Sequence, residues 1–598
     1  MIETYKQLWN LLSKNERKQT FVLFLLMITN GIIEVFGIIS LFPLIAVLTN
    51  TSIIETNKYL TFIYKYFNFQ SIDQFLIFLT SIVFLVTIVR TLLNGFLNHS
   101  ILRFTQNRNR SLSTRLLNSY LKRPYVYFLS RHSADMGKTI LSEVESVIYG
   151  SLVPSLELVS RSLISVFVLS TIFIAEPKVA TVSLLVFSVS YGSLYLLLRK
   201  YLYRKAIERI EANKNRYMIA QEALVGIKEI KVRDALNIYL RTFDNATSKF
   251  HKLKIKTSLI KLVPQLFIQI ATTSAVLIVI LVLLTQVNGN YNEVIPLVAI
   301  YAFAGMRILP IVQGIFKNLT SMRSGQPYLY MLYKELIETK NELINYSQQK
   351  VEQLSKEISF KNVYFSYPES KFPVIKNISL SIPAKSCVAF VGSTGAGKST
   401  TTDLLLGLLE PCNGSIQIDG FTLDKTNIKN WQKIIGYVPQ SIFIADDTIS
   451  KNITLGSEES NADYEKIKYA AKLANLHEFI QKELPFKYET MVGEAGVKLS
   501  GGQKQRLGIA RALYLSPQIL IFDEATSALD NVTEREIMKS INRLKQKMTI
   551  ILVAHRLTTI KNCDIIFHLE NGKLRSQGTF EELLMKDKLF KAMAANTP

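Results

Sequence analysis

The segment GSTGAGKST, residues 392 to 400, sits between the apolar run CVAFVG and the helix-like run TTDLLLGLL. Its pattern, G-x-x-x-x-G-K-[ST], suits the binding of phosphate. Glycine lets the backbone curl, so that the amides of Gly392, Ser393, Thr394, Gly395, Ala396 and Gly397 and a helix N-terminus face phosphate oxygens. Lys398 adds positive charge at the β and γ phosphates, the Ser399 hydroxyl is a magnesium ligand, and Thr400 completes the nucleotide-binding set. The apolar run QILIFDE, residues 518 to 524, ends in two acids. Phosphoryl transfer is limited by positioning and charge stabilisation. Asp523 is therefore assigned to the magnesium shell and Glu524 to polarising the attacking water.

A second glycine turn, LSGGQKQRLGIARAL, begins another helix at residues 499 to 513. One phosphate loop with its magnesium acid already surrounds one face of a nucleotide. Ser500, Gly501, Gly502 and Gln503 then have no free phosphate within their own subunit, and are expected to serve a second copy.

At this point residues 358 to 590 resemble the nucleotide-binding domain of ATP-binding cassette transporters. The resemblance rests on Tyr367, the phosphate loop, Gln440 in YVPQ, VGEAG at 492 to 496, LSGGQ at 499 to 503, FDEATSALD at 522 to 530 and His555 in AHR, all in order. It implies ATP and Mg2+ as ligands, with Tyr367 stacking on adenine. Gln440 is implied to touch magnesium and the water while sensing the membrane domain, and His555 to bind the γ phosphate. It also implies a head-to-tail pair of cassettes, each ATP lying between one phosphate loop and the other subunit's signature turn. One cassette per chain means a half transporter. A symmetric homodimer is expected, with a heterodimer left open.

These groups must be held by a chain of two kinds. Of its 598 residues 48% are hydrophobic and 20% charged, which suggests an apolar part joined to an ordinary soluble one. Apolar stretches at 21 to 48, 75 to 97, 148 to 175, 179 to 198, 259 to 286 and 294 to 318 read as six membrane spans. The net charge of +23 crowds into segments beside them, such as RFTQNRNRSLSTR (103 to 115) and RKYLYRKAIERIEANKNR (199 to 216). That is the pattern of cytoplasmic loops, and it puts both termini in the cytoplasm. No aromatic-basic module accompanies the charge, so nucleic acid is not expected as a partner. Three cysteines without metal-ligand spacing fit a reducing cytosol and argue against a disulfide framework or a metalloenzyme.

Glu34, Arg90, Glu157, Arg161, Lys261 and Arg307 lie within the spans, either as structural pairs or along a translocation path. Residues 57 to 69, with Tyr59, Phe62, Tyr66 and Phe69 at near-helical spacing, read as an amphipathic helix on the outer leaflet. The two long basic segments are patterned as continuing helix, long enough to reach a soluble domain.

The fold class expected is multidomain. An all-α six-helix transmembrane domain (1–335) and a linker (336–357) precede an α/β P-loop ATPase of the ATP-binding cassette type (358–598). The membrane half resembles the exporter class, with coupling segments at RPYVYFLSRHSAD (123 to 135) and GIKEIKVRDALNIYLRTF (226 to 243). The function expected is ATP-driven export or flipping of an amphipathic substrate across a bacterial inner membrane. GIIEVFGIISLFPLIAVL, the aromatic segment and GIKEIKV are most similar to the branch that flips lipid-linked glycans. Export of peptides, drugs or other lipids is the alternative, although the chain begins at its first span without an N-terminal protease domain. A membrane-anchored ATPase acting as regulator or gated channel is the second.

Overall fold

The computed structural model describes all residues except 50, 176, 287–290, 338–352, 369, 371, 458–462, 525–533, 538, 540–546, 555, 556 and 596–598. The chain divides into two compact units. Met1–Lys122 and Arg131–Leu343 form one, Arg123–Ser130 and Ile344–Pro598 the other.

The first unit is helical. Helix α1 (Ile2–Leu11) leads into α2 (Lys14–Ile39) and α3 (Leu41–Thr49), which are followed by the short α4 (Ile53–Thr56) and α5 (Lys58–Tyr66). Helix α6 (Ile72–Leu121) runs without a break for 50 residues. After α7 (Tyr125–Leu129), which belongs to the second unit, come α8 (Ser133–Lys138), α9 (Val144–Val147) and α10 (Val153–Ala175), joined by π-turns at Thr139–Glu143 and Ile148–Leu152. Helices α11 (Pro177–Val225), α12 (Ile227–Val232), α13 (Leu236–Gln286) and α14 (Tyr291–Leu336) complete the unit.

Among the described residues Lys14–Leu48, Ile72–Leu121 and Ser133–Thr171 are each long and apolar enough to cross a membrane. At 1.5 Å per residue α6 is about 75 Å long, against about 30 Å of hydrocarbon. More than half of it must lie outside the bilayer, which is where Arg103, Arg108, Arg110 and Arg115 fall, Arg90 lying within the apolar stretch.

The span charges are largely paired. Arg90 on α6 meets Glu34 on α2 at 3.4 Å, with both side chains mostly buried. Arg161 lies 3.9 Å from Glu157 one turn away, and its Nη1 donates to the Pro310 carbonyl at 3.3 Å. Lys261 is half-buried, and the Arg307 side chain lies outside the described residues. Beyond the apolar stretch Arg108 pairs with Glu16 at 2.7 Å, joining α6 to α2 again.

Two helical segments come close where a Cβ placed on Gly150 would lie 3.1 Å from the Gly325 Cα. A Cβ on Gly325 would run into the Gly150 carbonyl. The second π-turn and α14 can meet only because neither residue has a side chain.

The aromatic segment forms α5, capped by the Asn57 side chain, which accepts from the amides of Tyr59 (3.0 Å) and Leu60 (3.4 Å). Tyr59, Phe62 and Tyr66 share an exposed face, with Phe62 stacked on Tyr66 at 5.8 Å, while Leu60 is buried. Phe69 departs from the expected stripe. The helix ends before it, Asn68 takes a left-handed turn, and Phe69 turns inward onto Phe75 and Phe78.

In the second unit, β1 (Glu357–Phe365), β2 (Ile375–Pro383), β4 (Asn413–Ile418) and β5 (Phe421–Thr422) make an antiparallel sheet in the order β2-β1-β4-β5. A six-stranded sheet takes the order β10-β9-β3-β8-β7-β6, from β3 (Cys387–Val391), β6 (Ile435–Val438), β7 (Ile519–Asp523), β8 (Thr549–Val553), β9 (Ile565–Glu570) and β10 (Lys573–Gly578). Strands β9, β3, β8, β7 and β6 are parallel, and only β10 is antiparallel. Parallel strands covered on both faces read as unbroken apolar runs. CVAFV and TIILV are accordingly buried at every residue. Two of the cysteines, Cys387 and Cys563, meet inside this core with sulfurs 3.1 Å apart.

Candidate nucleotide site

The parallel sheet places the reactive groups. Strands β3 and β7 flank β8 and all three point the same way, so the loop after β3 and the acids ending β7 share the carboxyl edge of the sheet. Gln440 follows β6, the next neighbour of β7.

Residues 392 to 397 turn from β3 into helix α15 (Lys398–Leu405). Gly392 has φ +152°, and a Cβ there would strike the Leu569 carbonyl of β9, so glycine is required for the loop to fold back against the sheet. The Lys398 ammonium lies within this turn, donating to the carbonyls of Gly392 (2.8 Å) and Ser393 (3.0 Å). Burial lowers its pKa, while the nearby Glu524 and Asp523 charges oppose that shift. The Tyr367 hydroxyl is 3.2 Å from the Thr400 hydroxyl, which fixes the ring beside α15.

Glu524 has φ +52°, and its amide donates to the Val553 carbonyl at 3.0 Å. Left-handed backbone at a non-glycine residue costs energy and concentrates at functional sites. The Gln440 amide donates to the Glu524 carboxylate at 2.7 Å.

Two residues near Asp523 escaped sequence reading. Tyr437 directs its hydroxyl at Asp523 Oδ2 (3.4 Å), and burial followed by the Asp523 charge raises its pKa. Asp403 on α15 has its carboxyl pushed up to about 6, chiefly by burial and then by Asp523. The signal for Tyr437 was its place in IGYVPQ, at the end of a strand beside β7. Asp403 had only its place in the loop's helix, five residues past Lys398.

The Ser399 hydroxyl, the Asp523 carboxylate and the Gln440 side-chain oxygen are hard oxygen donors of the kind magnesium takes, and Gly395 of the loop has open space where a Cβ would stand. His555 and the FDEATSALD residues beyond Glu524 lie outside the described residues.

The signature turn stands apart. Ser500 is the N-cap of α16 (Gly501–Tyr514), accepting from the Gln503 amide at 3.3 Å, while the Gln503 side chain accepts from the Ser500 amide at 2.8 Å. This reciprocal capping box occupies an acceptor position of the Ser500 hydroxyl and leaves its proton to be donated outward. Among the described residues no hydrogen bond or ion pair joins the turn to the phosphate loop of the same chain.

Residues 375–527 match the ABC transporter family and residues 20–308 the ABC transporter transmembrane region. The chain is 33% identical over 482 residues to the ATP-dependent lipid A-core flippase of Saccharophagus degradans, covering 79% of each protein. It is 30% identical to the alpha-hemolysin translocation ATP-binding protein HlyB of Escherichia coli over 83% of this chain and 69% of that one. In structure it is similar to a bacterial Atm1-family ABC exporter with ATP bound, with a TM-score of 0.79 over 97% of this chain and 98% of the other at 23% identity. A helical membrane region, a phosphate loop at the carboxyl edge of a parallel sheet and a separate signature turn are thus found together in one chain with these relatives. The protein belongs to the ABC transporter family, as a membrane-spanning half-transporter of the exporter type that couples ATP hydrolysis to transport.

Proposed function

We propose that this exporter moves a lipid-linked glycan, of the polyisoprenyl-linked kind, across a bacterial inner membrane, working as a symmetric homodimer with both termini in the cytoplasm. The observation carrying the cargo reading is the similarity to a lipid A-core flippase, which extends over both the helical unit and the cassette. The exposed aromatic face of α5 supports it, because Tyr59, Phe62 and Tyr66 suit the headgroup zone through which an amphipathic cargo must pass.

In the nucleotide site, Lys398 and the loop amides hold the β and γ phosphates, Tyr367 stacks on adenine and His555 contacts the γ phosphate. Ser399, Asp523 and Gln440 hold magnesium, which when bound spreads the charge developing on the phosphates. Glu524 polarises the attacking water while Gln440 fixes its carboxylate. Ser500, Gly501, Gly502 and Gln503 close the site of the partner copy, the Ser500 hydroxyl donating to phosphate. Closure of the cassette pair is passed to the membrane helices through the coupling segments around α7 and α12.

The test is reconstitution of the full chain in vesicles loaded with a polyisoprenyl diphosphate-linked oligosaccharide. ATP-dependent loss of that lipid from the leaflet facing the cassette supports the reading. Transport of peptide or drug but not glycolipid replaces the cargo, and vanadate-sensitive hydrolysis with no transported species replaces the pump by a regulator. Exchanging Tyr59, Phe62 and Tyr66 for polar residues should slow flipping more than basal hydrolysis.

A further inference from the structure

Helices α11 and α13 border an open groove of about 400 Å³ within the helical unit. Lys205 and Glu208 line it from α11, and Lys249, Lys252 and Lys256 from α13, with Asn245 and Ser248 beside them. Four ammonium groups therefore face one carboxylate. That carboxylate is already engaged, since Glu208 accepts from Lys205 at 2.7 and 2.9 Å and lies 4.0 Å from Arg204. Lys249 acts on the same Glu208 charge, and among the described residues no salt bridge joins Lys252 or Lys256 to an acid. These three recur at i, i+3 and i+7, on one side of α13, where like charges repel. Lys249, Lys252 and Lys256 are solvent-exposed and line the same groove as the half-buried Lys205, so a headgroup can reach all four.

We propose that this cleft is a binding site for a phosphate-bearing anion, specifically the headgroup of an anionic lipid. Lys256 lies three residues before the apolar run that begins at 259, about 4.5 Å along the helix, within the headgroup layer. Lys249 lies about 10 Å further out. The row of ammoniums thus runs from the phosphate plane into water, along the path of a headgroup projecting from the leaflet. Asn245 and Ser248 add neutral hydrogen-bonding groups at the outer end, where glycerol or sugar hydroxyls would fall. The inference stands independently of the cargo proposed above.

The test uses the full-length chain, with bound phosphatidylglycerol counted by native mass spectrometry against phosphatidylcholine. The triple variant K249Q/K252Q/K256Q should bind phosphatidylglycerol more weakly by about fivefold per lysine, on the order of a hundredfold in all. The variant K18Q/K200Q/K254Q removes the same charge from outside the cleft and should stay within about twofold of the parent. Equal weakening in both variants, or none in the first, overturns the site; melting temperatures in phosphatidylcholine establish that each variant folds. Protection of the cleft lysines from an amine-acylating reagent distinguishes the two sources of phosphate. Protection by phosphatidylglycerol vesicles alone assigns the site to a lipid headgroup, protection by sub-millimolar inorganic phosphate assigns it to a soluble anion, and protection by neither overturns it.

Discussion

The side-chain amide of Gln440 donates to the carboxylate of Glu524 at 2.7 Å, joining the residue that follows β6 to the one that ends β7. Replacing Glu524 by Gln keeps a hydrogen-bonding partner for Gln440 but removes the negative charge. ATP binding should survive, and turnover should fall on the order of 10²–10⁴-fold. Gln440→Ala removes this hydrogen bond and a proposed magnesium donor together, and should lower kcat by less than E524Q while raising the magnesium concentration needed for half-maximal turnover. Steady-state hydrolysis and equilibrium nucleotide binding measure both.

Ser500 has two tasks that can be separated. Ser500→Ala removes the cap and the outward donor together, and should cost about 0.5–2 kcal/mol of stability as well as most of the hydrolysis. Ser500→Asp caps α16 as well as serine does but turns a negative charge toward phosphate. It should melt at the parent temperature and fail to hydrolyse ATP. Retention of full activity by S500D would show that no phosphate approaches this turn.

Asp403 makes the cassette sensitive to acidity. Its carboxyl ionises near 6 when folded and near 4 when unfolded. The folded chain therefore holds a proton that the unfolded chain has released, and the stability this confers is complete below the lower value and lost as the pH rises through the upper one. Asp403→Asn, with nucleotide and metal removed, should melt higher than the parent at about pH 7.5, and the difference should shrink as the pH falls and vanish only below about pH 4. Asp523, Tyr437 and Tyr125 face the same spot and are common to both proteins.

Gly325 tests the packing of the helical unit. Gly325→Ala pushes a methyl group into the Gly150 carbonyl, and should cost about 1–3 kcal/mol, visible as a lower melting temperature. Gly95→Ala meets nothing within 4 Å and lies inside α6, so it should be neutral or slightly stabilising.

Much of this site was legible because its chemistry is local. A phosphate loop needs a strand, a glycine turn and a helix in immediate succession, and residues 387 to 405 supply all three in order. The Ser500–Gln503 box was equally legible, since S-x-x-Q before a helix is a capping pattern, yet the same residues had already been assigned to phosphate. Long-range pairs were not. Nothing in the spacing of Glu34 and Arg90, or of Glu16 and Arg108, says that they meet, because which helix faces touch depends on how the whole bundle packs. The π-turns at 139–143 and 148–152 are similarly hidden, since an extra residue in a turn leaves the apolar pattern readable as an ordinary helix. Phe69 was misassigned to the α5 stripe because periodicity continued past the point where Asn68 breaks the helix.

The octapeptide Arg123–Ser130 groups with the second unit although both its neighbours in sequence group with the first, and Val126 within it rests on the apolar core that also carries Tyr367. The polypeptide thus crosses between its units three times, at 122/123, 130/131 and 343/344. A cassette severed at Ile344 loses its plug and bares a greasy socket on the core that carries Tyr367. Self-association of such a fragment on a sizing column would then report the missing cork, and only the intact chain can tell nucleotide-driven pairing from simple stickiness.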